Sequence, residues 1–397
     1  MTDVSARLDE LRERGLYRRL RLLSGPQGPR VLLGDRPVLL LCSNNYLGLA
    51  DHPKVRAAAA EAAMRWGAGA GASRLISGNM EPHRGLESRL AEFKGYEAAL
   101  LFGSGYLANT GAIAALAGAG EVVFSDQLNH ASIVDGCRLS RAQTFVYRHG
   151  DLEHLAWGLR EAGGRGALIV SDGVFSMDGD VAPLAGLVEL ARRHRCRLLV
   201  DEAHATGAIG PGGRGSVAAA GLEGEVDVLV GTLGKALGSY GAYVCASAET
   251  VDFLVNSARP FIFSTAPPPA SIGAAAAALE LLAAQPQRPE RLQANAVTLR
   301  AALAAEGFDT GRSRTQIVPI EVGDAELTMR LCELALERGV FAQGIRPPTV
   351  PEGSSRLRFT VMSTHRGGEL EWAAKLVGAA ARELGLASAQ PHLARAA

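Results

Sequence analysis

The sequence predicts an α/β protein: a large domain with a mostly parallel central sheet covered by helices, followed by a smaller α+β carboxyl-terminal domain. Two observations carry this expectation. Short apolar runs recur at Ala99-Leu100-Leu101-Phe102, Val122-Val123-Phe124, Ala167-Leu168-Ile169-Val170, Leu198-Leu199-Val200, Val228-Leu229-Val230 and Tyr243-Val244-Cys245, separated by helical or turn-rich stretches. That alternation is the pattern of a parallel sheet buried on both faces. Further on, Gln285-Pro286-Gln287-Arg288-Pro289 interrupts the helical pattern before helix, strand and helix patterns resume, which marks a domain boundary. The expected division is an amino-terminal helix and arm at 1–45, a large domain at 46–285 and a small domain at 286–397.

Along the chain, about Ser5 to Leu23 reads as an amphipathic helix, with Arg18, Arg19 and Arg21 facing either solvent, the default, or a bound anion. Asp3, Asp9, Glu10, Arg12, Glu13 and Arg14 interrupt any apolar stretch of signal-peptide length, so a cytoplasmic protein is expected rather than an exported one. Gly103-Ser104-Gly105-Tyr106 joins a strand to a helix beginning near Leu107. It offers backbone N–H groups to an anion, or it is a plain strand–helix turn. His130, in Asn129-His130-Ala131-Ser132, suits stacking on a flat ring and equally suits a structural role. Arg197-Leu198-Leu199-Val200 delivers Asp201-Glu202-Ala203-His204 to the carboxyl end of a strand, where open parallel sheets bind ligands. Asp201 there can keep a pyridine nitrogen protonated and His204 can reach a phenolic oxygen; singly they also read as a helix cap and a loop histidine. Gly231-Thr232-Leu233-Gly234-Lys235-Ala236-Leu237-Gly238 then presents one amine in a glycine-lined turn. An amine attacks a carbonyl only when deprotonated, which a dry site favours, and flanking glycines admit a bulky cofactor. Alone, Lys235 is as readily a surface lysine; with an Asp and a His at successive strand ends it belongs to a site. The run from Ala270 to Ala284 is interrupted by Glu280 and reads as a packed helix rather than a membrane span.

Several classes of function are excluded. Asp-Glu-Ala-His is also spelled in a helicase family, but the phosphate loop such an NTPase needs is absent: the only Gly-Lys pair is Gly234-Lys235, with Leu229 and Ala236 at the required positions. Gly210, Gly212 and Gly215 spell a dinucleotide fingerprint without a preceding apolar strand. Lys plus Arg and Asp plus Glu both number 41, so no net field favours nucleic acid or an anionic membrane, and neither is expected as a partner. The hydrophobic share of 47% and charged share of 21% are those of a globular protein. Five cysteines are scattered without C-x-x-C pairs, which supports buried thiols in a reducing compartment and neither disulfides nor a metal site.

Five ordered motifs, Ser104-Gly105-Tyr106, Asn129 to Ser132, Gly173-Val174-Phe175-Ser176-Met177-Asp178-Gly179-Asp180, Asp201 to His204 and Thr232 to Lys235, together resemble the α-oxoamine synthases, fold-type-I pyridoxal-phosphate transferases, over nearly the whole chain. The resemblance implies pyridoxal 5'-phosphate as cofactor. Residue by residue it makes Lys235 the Schiff-base lysine and Asp201 the partner of the pyridine nitrogen. It places Ser176 and His204 on the ring hydroxyl and His130 over the ring face. Gly105, Tyr106 and Thr232 would hold the phosphate, with Ser264 and Thr265 reaching it from the neighbouring subunit of a homodimer. Asn44, in Asn44-Asn45-Tyr46-Leu47-Gly48, and Arg358 would grip the amino-acid carboxylate, a task suited to a bidentate guanidinium. Arg18 and Thr349 would lie near the acyl substrate. Ile345-Arg346-Pro347-Pro348-Thr349-Val350-Pro351, Arg356-Leu357-Arg358 and Arg259 to Thr265 resemble the branch that condenses L-alanine with a pimeloyl thioester, on CoA or a carrier protein, in biotin biosynthesis. The runner-up is the branch joining glycine to acetyl-CoA; a non-catalytic module of the same fold would be expected to lack Lys235 or Arg358. Asn45 and Glu202 depart from the family, which often has Asp at both places, and Asn45 also occurs in the acetyl-transferring branch.

Overall fold

The computed structural model describes residues 3–386. Among them the strands are β1 (Leu23–Ser24), β2 (Arg30–Leu33), β3 (Arg36–Leu40), β4 (Ala98–Phe102), β5 (Val122–Asp126), β6 (Gln143–Tyr147), β7 (Gly166–Asp172), β8 (Arg197–Asp201), β9 (Val228–Thr232), β10 (Ala242–Ala246), β11 (Ile317–Gly323), β12 (Val340–Phe341), β13 (Gln343–Ile345) and β14 (Ser355–Thr360). The chain divides into two compact units. One comprises Leu47–Ser176 and Asp180–Pro289; the other comprises the described residues up to Tyr46, Met177–Gly179, and those from Glu290 onward.

The first unit holds a seven-stranded sheet in the order β4-β10-β9-β8-β7-β5-β6. Pairing is parallel from β9 through β6, and β10 runs antiparallel to both β4 and β9. The sheet is thus mostly parallel, and β4 points the same way as β9. Each of the six apolar runs is a strand of this sheet. β6, an edge strand with Gln143, Thr144 and Val146 exposed, carries a further run, Phe145-Val146-Tyr147, that was not among the six. Helices Gly105–Leu116 and Ala131–Ser140 pack on the sheet through one core that includes Ile113, Ile133, Val123, Val170, Leu199, Val230 and Val244. Full burial of such a side chain contributes about 1.5–3 kcal/mol, and the layer makes a rigid base for the loops at the strand ends.

The second unit carries two small sheets, β1-β2-β3-β12 and β11-β14-β13, with helices Ala325–Glu337 and Gly367–Glu383. The sequence expectation of one amphipathic helix from Ser5 to Leu23 is corrected here. The helix spans Val4–Glu13, Gly15 follows at φ +63°, and Leu23 lies in β1. Glycine readily adopts that left-handed conformation, which ends a helix. Likewise the helix expected from Leu107 starts at Gly105, because the Ser104 side chain accepts from the Leu107 amide as its N-cap. The Ala-rich helix spans Pro269–Ala284, and no helix among the described residues is long and apolar enough to cross a membrane.

Candidate active site

Parallel strands bring their carboxyl ends to one side, and β4, β5, β7, β8 and β9 all point that way. The five motifs follow these strands directly, so sheet polarity alone gathers Gly105, His130, Ser176, Asp201 with His204, and Lys235 at one edge. Lys235 Nζ lies 2.8 Å from His204 Nε2. The turn that carries Lys235 closes through Gly238 at φ +60°, where a Cβ would stand 2.4 Å from the Ala50 amide nitrogen. Only glycine meets both conditions. Thr232 Oγ1 donates to Gly241 O at 3.1 Å and accepts from the Gly234 amide at 3.2 Å, bracing the start of the same turn.

Asp201 is buried, and its two carboxylate oxygens are divided between partners: Oδ1 accepts from the Ala203 amide at 2.7 Å, and Oδ2 from Asn109 Nδ2 at 2.6 Å. Opposite it in register on β7 lies buried Asp172, whose Oδ2 accepts from the His130 amide at 2.8 Å. Burial, then the negative charge of Asp201, hold the Asp172 carboxyl well above the usual range, as expected for two close acids that cannot both ionise cheaply. The imidazole of His130 is shifted the other way: partial desolvation lowers its pKa, and the pull of Asp201 is offset by the positive charge of Lys235. His130 also caps helix Ala131–Ser140, its Nδ1 accepting from the Ser132 amide at 3.2 Å.

Glu202, beside Asp201, belongs to a different construction. Its Oε2 takes a hydrogen bond from Lys94 Nζ at 2.6 Å, and its Oε1 takes two more, from Ser216 Oγ at 2.9 Å and the Val217 amide at 2.8 Å. Lys94 completes its three donors with Thr206 Oγ1 and Arg214 O. A buried pair this fully bonded is costly to break from one side, by about 3–5 kcal/mol. It anchors the Asp201–His204 turn from behind, a sufficient reason for a longer acid than Asp. His149 is a second anchor, bonded through Nδ1 to Asp126 at 2.9 Å and through Nε2 to Asp180 at 2.8 Å, with Phe175 edge-on at 4.4 Å. It ties the end of β5 to the loop that bears Ser176.

At the helix that follows β4, Ser104 satisfies Leu107, so the Gly105 and Tyr106 amides at the first two helical positions are the ones aimed outward to an anion. A Cβ on Gly105 would meet nothing within 4 Å, so the approach is open. The Tyr106 side chain is exposed and its hydroxyl donates to Asp135, so the part of Tyr106 suited to a phosphate is its amide. Ser176 is half-buried. Ser264 and Thr265 follow helix Arg259–Ile262, Thr265 being exposed and bridged to Ser73.

In the other unit, buried Arg358 on β14 lies beside the Tyr46 phenol, whose pKa burial raises and the guanidinium charge opposes; the Tyr46 hydroxyl donates to Asn44 Oδ1 at 3.0 Å. Asn44 and Arg358 are thus joined through Tyr46, which the sequence reading passed over. Arg18 and Thr349 line one cavity of about 910 Å³ with Tyr17, Phe341, Ile345 and Arg346. Asn109, Asp172 and His149 were also missed. The one local signal was Asn109, a polar residue in the buried stripe with Ala112, Ile113 and Leu116.

The donor set of the first unit fits pyridoxal phosphate: a buried carboxylate for a ring nitrogen, a lysine beside a histidine, and open amides at a helix start. Among the described residues, no group of three or more His, Cys, Asp and Glu could hold a metal ion. Comparison with known proteins agrees. Residues 36–376 match the family described as Aminotransferase class I and II. The chain is 55% identical over 386 residues to an 8-amino-7-oxononanoate synthase of Geobacter sulfurreducens, covering 96% of this chain and 99% of the relative, and 54% identical over 389 residues to one of Citrifermentans bemidjiense, covering 97% and 100%. Among solved structures, a serine palmitoyltransferase of Sphingomonas wittichii superposes with a TM-score of 0.92 at 32% identity over 97% of this chain and 100% of that one. An 8-amino-7-oxononanoate synthase of Francisella tularensis superposes at 0.76 with 27% identity over 88% and 99%. The chain belongs to the 8-amino-7-oxononanoate synthase family within the class I and II aminotransferases, enzymes that work with pyridoxal 5'-phosphate.

Proposed function

We propose that the protein condenses L-alanine with a pimeloyl thioester, carried by CoA or a carrier protein, releasing carbon dioxide and the free thiol and forming 8-amino-7-oxononanoate for biotin synthesis. The observation that carries the reaction class is Lys235 Nζ at 2.8 Å from His204 Nε2, at the strand ends that hold buried Asp201. The shared name of the relatives supports the substrates.

When bound, pyridoxal phosphate supplies an electron sink for the bonds broken at the α carbon of the amino acid. The residues of this chain supply the rest. Asp201, held by its two donors, stands as partner of the ring nitrogen, and Ser176 and His204 serve the ring hydroxyl. Gly105, Tyr106 and Thr232 hold the phosphate, and His130 covers the ring face. Lys235, once freed from its covalent role, is the neutral base that takes the α proton of L-alanine and returns a proton to the same carbon after carbon dioxide leaves. Asn44 and Arg358 hold the substrate carboxylate, with Tyr46 fixing their spacing. Arg18 and Thr349 face the acyl chain across the 910 Å³ cavity.

The active form in this reading is a homodimer in the cytoplasm. Exposed Leu75, Ile76 and Phe263 flank the Ser73–Thr265 bridge, and an apolar surface of this kind suits a second copy of the chain, which would receive Ser264 and Thr265 at its cofactor phosphate.

The test is thiol release by the pyridoxal-phosphate-loaded protein with three substrate pairs: L-alanine with pimeloyl-CoA, glycine with acetyl-CoA, and L-serine with palmitoyl-CoA. Preference for the first pair is expected. Preference for either other pair overturns the substrate assignment, and silence with all three and with a pimeloyl carrier protein overturns the catalytic one.

A further inference from the structure

Asn109 sits on helix Gly105–Leu116 in the stripe with Ala112, Ile113 and Leu116, and is 1% exposed. An amide buried there must be bonded. Its Nδ2 reaches two acceptors from different elements, Asp201 Oδ2 at 2.6 Å and Ser132 Oγ at 2.9 Å, whereas its Oδ1 is buried without a partner. Ser132 Oγ in turn lies 2.8 Å from His130 Nδ1.

We propose that Asn109 is a positioning residue whose carboxamide holds the Asp201 carboxylate and, through the Ser132 hydroxyl, fixes His130 as the Nε2–H tautomer.

The protons follow from counting. An amide nitrogen only donates, and a hydroxyl has a single proton. The Ser132 amide points its N–H at His130 Nδ1 from 3.2 Å, so that nitrogen accepts and carries no proton. Ser132 Oγ accepts from Asn109 and gives its own proton to the same nitrogen, 2.8 Å away. A neutral ring then carries its proton on Nε2. The amide orientation has its own logic. Turned over, Asn109 would set an oxygen 2.6 Å from a carboxylate oxygen, acceptable only if Asp201 were protonated. As oriented, one amide oxygen goes unbonded so that one N–H meets the Asp201 carboxylate and the other the Ser132 hydroxyl, and bonds to charged acceptors are roughly twice as strong as neutral ones. One side chain thereby sets both the carboxylate and the imidazole of the site, without direct contact to the imidazole.

The consequence for catalysis rests on the function proposed above; the tautomer is a property of the folded chain. Nitrogen-15 NMR of the histidine-labelled holoenzyme, with the His130 signals identified by their loss in His130→Gln, reads it directly. Near neutral pH the expected result is an unprotonated Nδ1 and a protonated Nε2. Ser132→Ala and Asn109→Ala should both raise the Nδ1–H fraction, and Asn109→Ala should lower kcat about tenfold with the amino-acid KM changed less than about twofold, the pattern of a lost supporting contact. Protonated Nδ1 in the unaltered protein overturns the proposal, as does an Asn109→Ala protein with unchanged His130 signals and kcat. Should Asn109→Ala fail to fold, the unaltered protein and Ser132→Ala still decide. Absence of thiol release with every substrate pair would sink the functional reading and leave the tautomer standing, so the two failures are distinguishable.

Discussion

In the proposed reaction Lys235 and Asp201 work as a pair because their surroundings suit them to opposite tasks. The lysine stands in a glycine turn beside an imidazole that can share its proton, and the carboxylate is buried with a donor on each oxygen. Replacing Lys235 with Ala should leave weak, non-covalent pyridoxal-phosphate binding, remove the absorbance of the covalently bound cofactor, and lower turnover by at least about 10³-fold, near the upper range for a lost acid–base group. A visible spectrum and single-turnover thiol release check this; full activity in that variant would reassign the lysine. No cysteine competes for the nucleophile's role: burial pushes the thiols of Cys42 and Cys245 up to about 12, those of Cys137 and Cys196 up to about 11, and that of Cys332 upward as well, so they stay protonated at neutral pH.

The loops that carry these residues are held by ion pairs reaching back into the fold. Glu202 with Lys94 braces the turn after β8, and His149 with Asp126 and Asp180 braces the Ser176 loop. Burial alone would lower the pKa of His149, but its hydrogen bonds to Asp126 and Asp180, then their charges, outweigh it and raise the value from 6.5 to about 10. The folded state therefore binds this proton more tightly than the unfolded chain does. The resulting stability is fully present below about pH 6.5 and is lost as pH rises towards 10. Urea midpoints measured from pH 6 to pH 10 should fall with pH in the unaltered protein and fall less in His149→Ala; parallel slopes would show that His149 carries no such proton. Buried His365 acts at the other end. Burial lowers its pKa to about 4, so stability present above pH 6.5 is lost as pH falls towards 4.

For the molecule as a whole, a homodimer predicts that the unaltered protein sediments at the mass of two chains, and that Ile76→Asp, at a position 80% exposed in the single chain, shifts it towards one chain. The same variant should weaken cofactor binding, because Ser264 and Thr265 would no longer reach a neighbouring site. An unaltered protein sedimenting as one chain would remove that role from both residues. At this scale it is also visible how much the sequence carried. Six strands of the central sheet and all five motifs were legible because each is local, an apolar run and the few residues directly after it. β6 was not read, although it holds the apolar run Phe145-Val146-Tyr147; nor was the end of the first helix, where a single glycine outweighed the periodicity. Glu202 was legible as an acid but not as the partner of Lys94, 108 residues away in sequence. By itself the sequence determined six strands of the sheet, the order of the motifs and the placing of Asp201, His204 and Lys235 after strand ends, since an apolar run and the residues directly behind it are local information. Only the tertiary structure decided that Asn109 meets Asp201, that Asp172 meets the His130 amide and that His149 joins Asp126 to Asp180, because a hydrogen bond between distant segments exists only once the sheet has brought them within about 3 Å of each other.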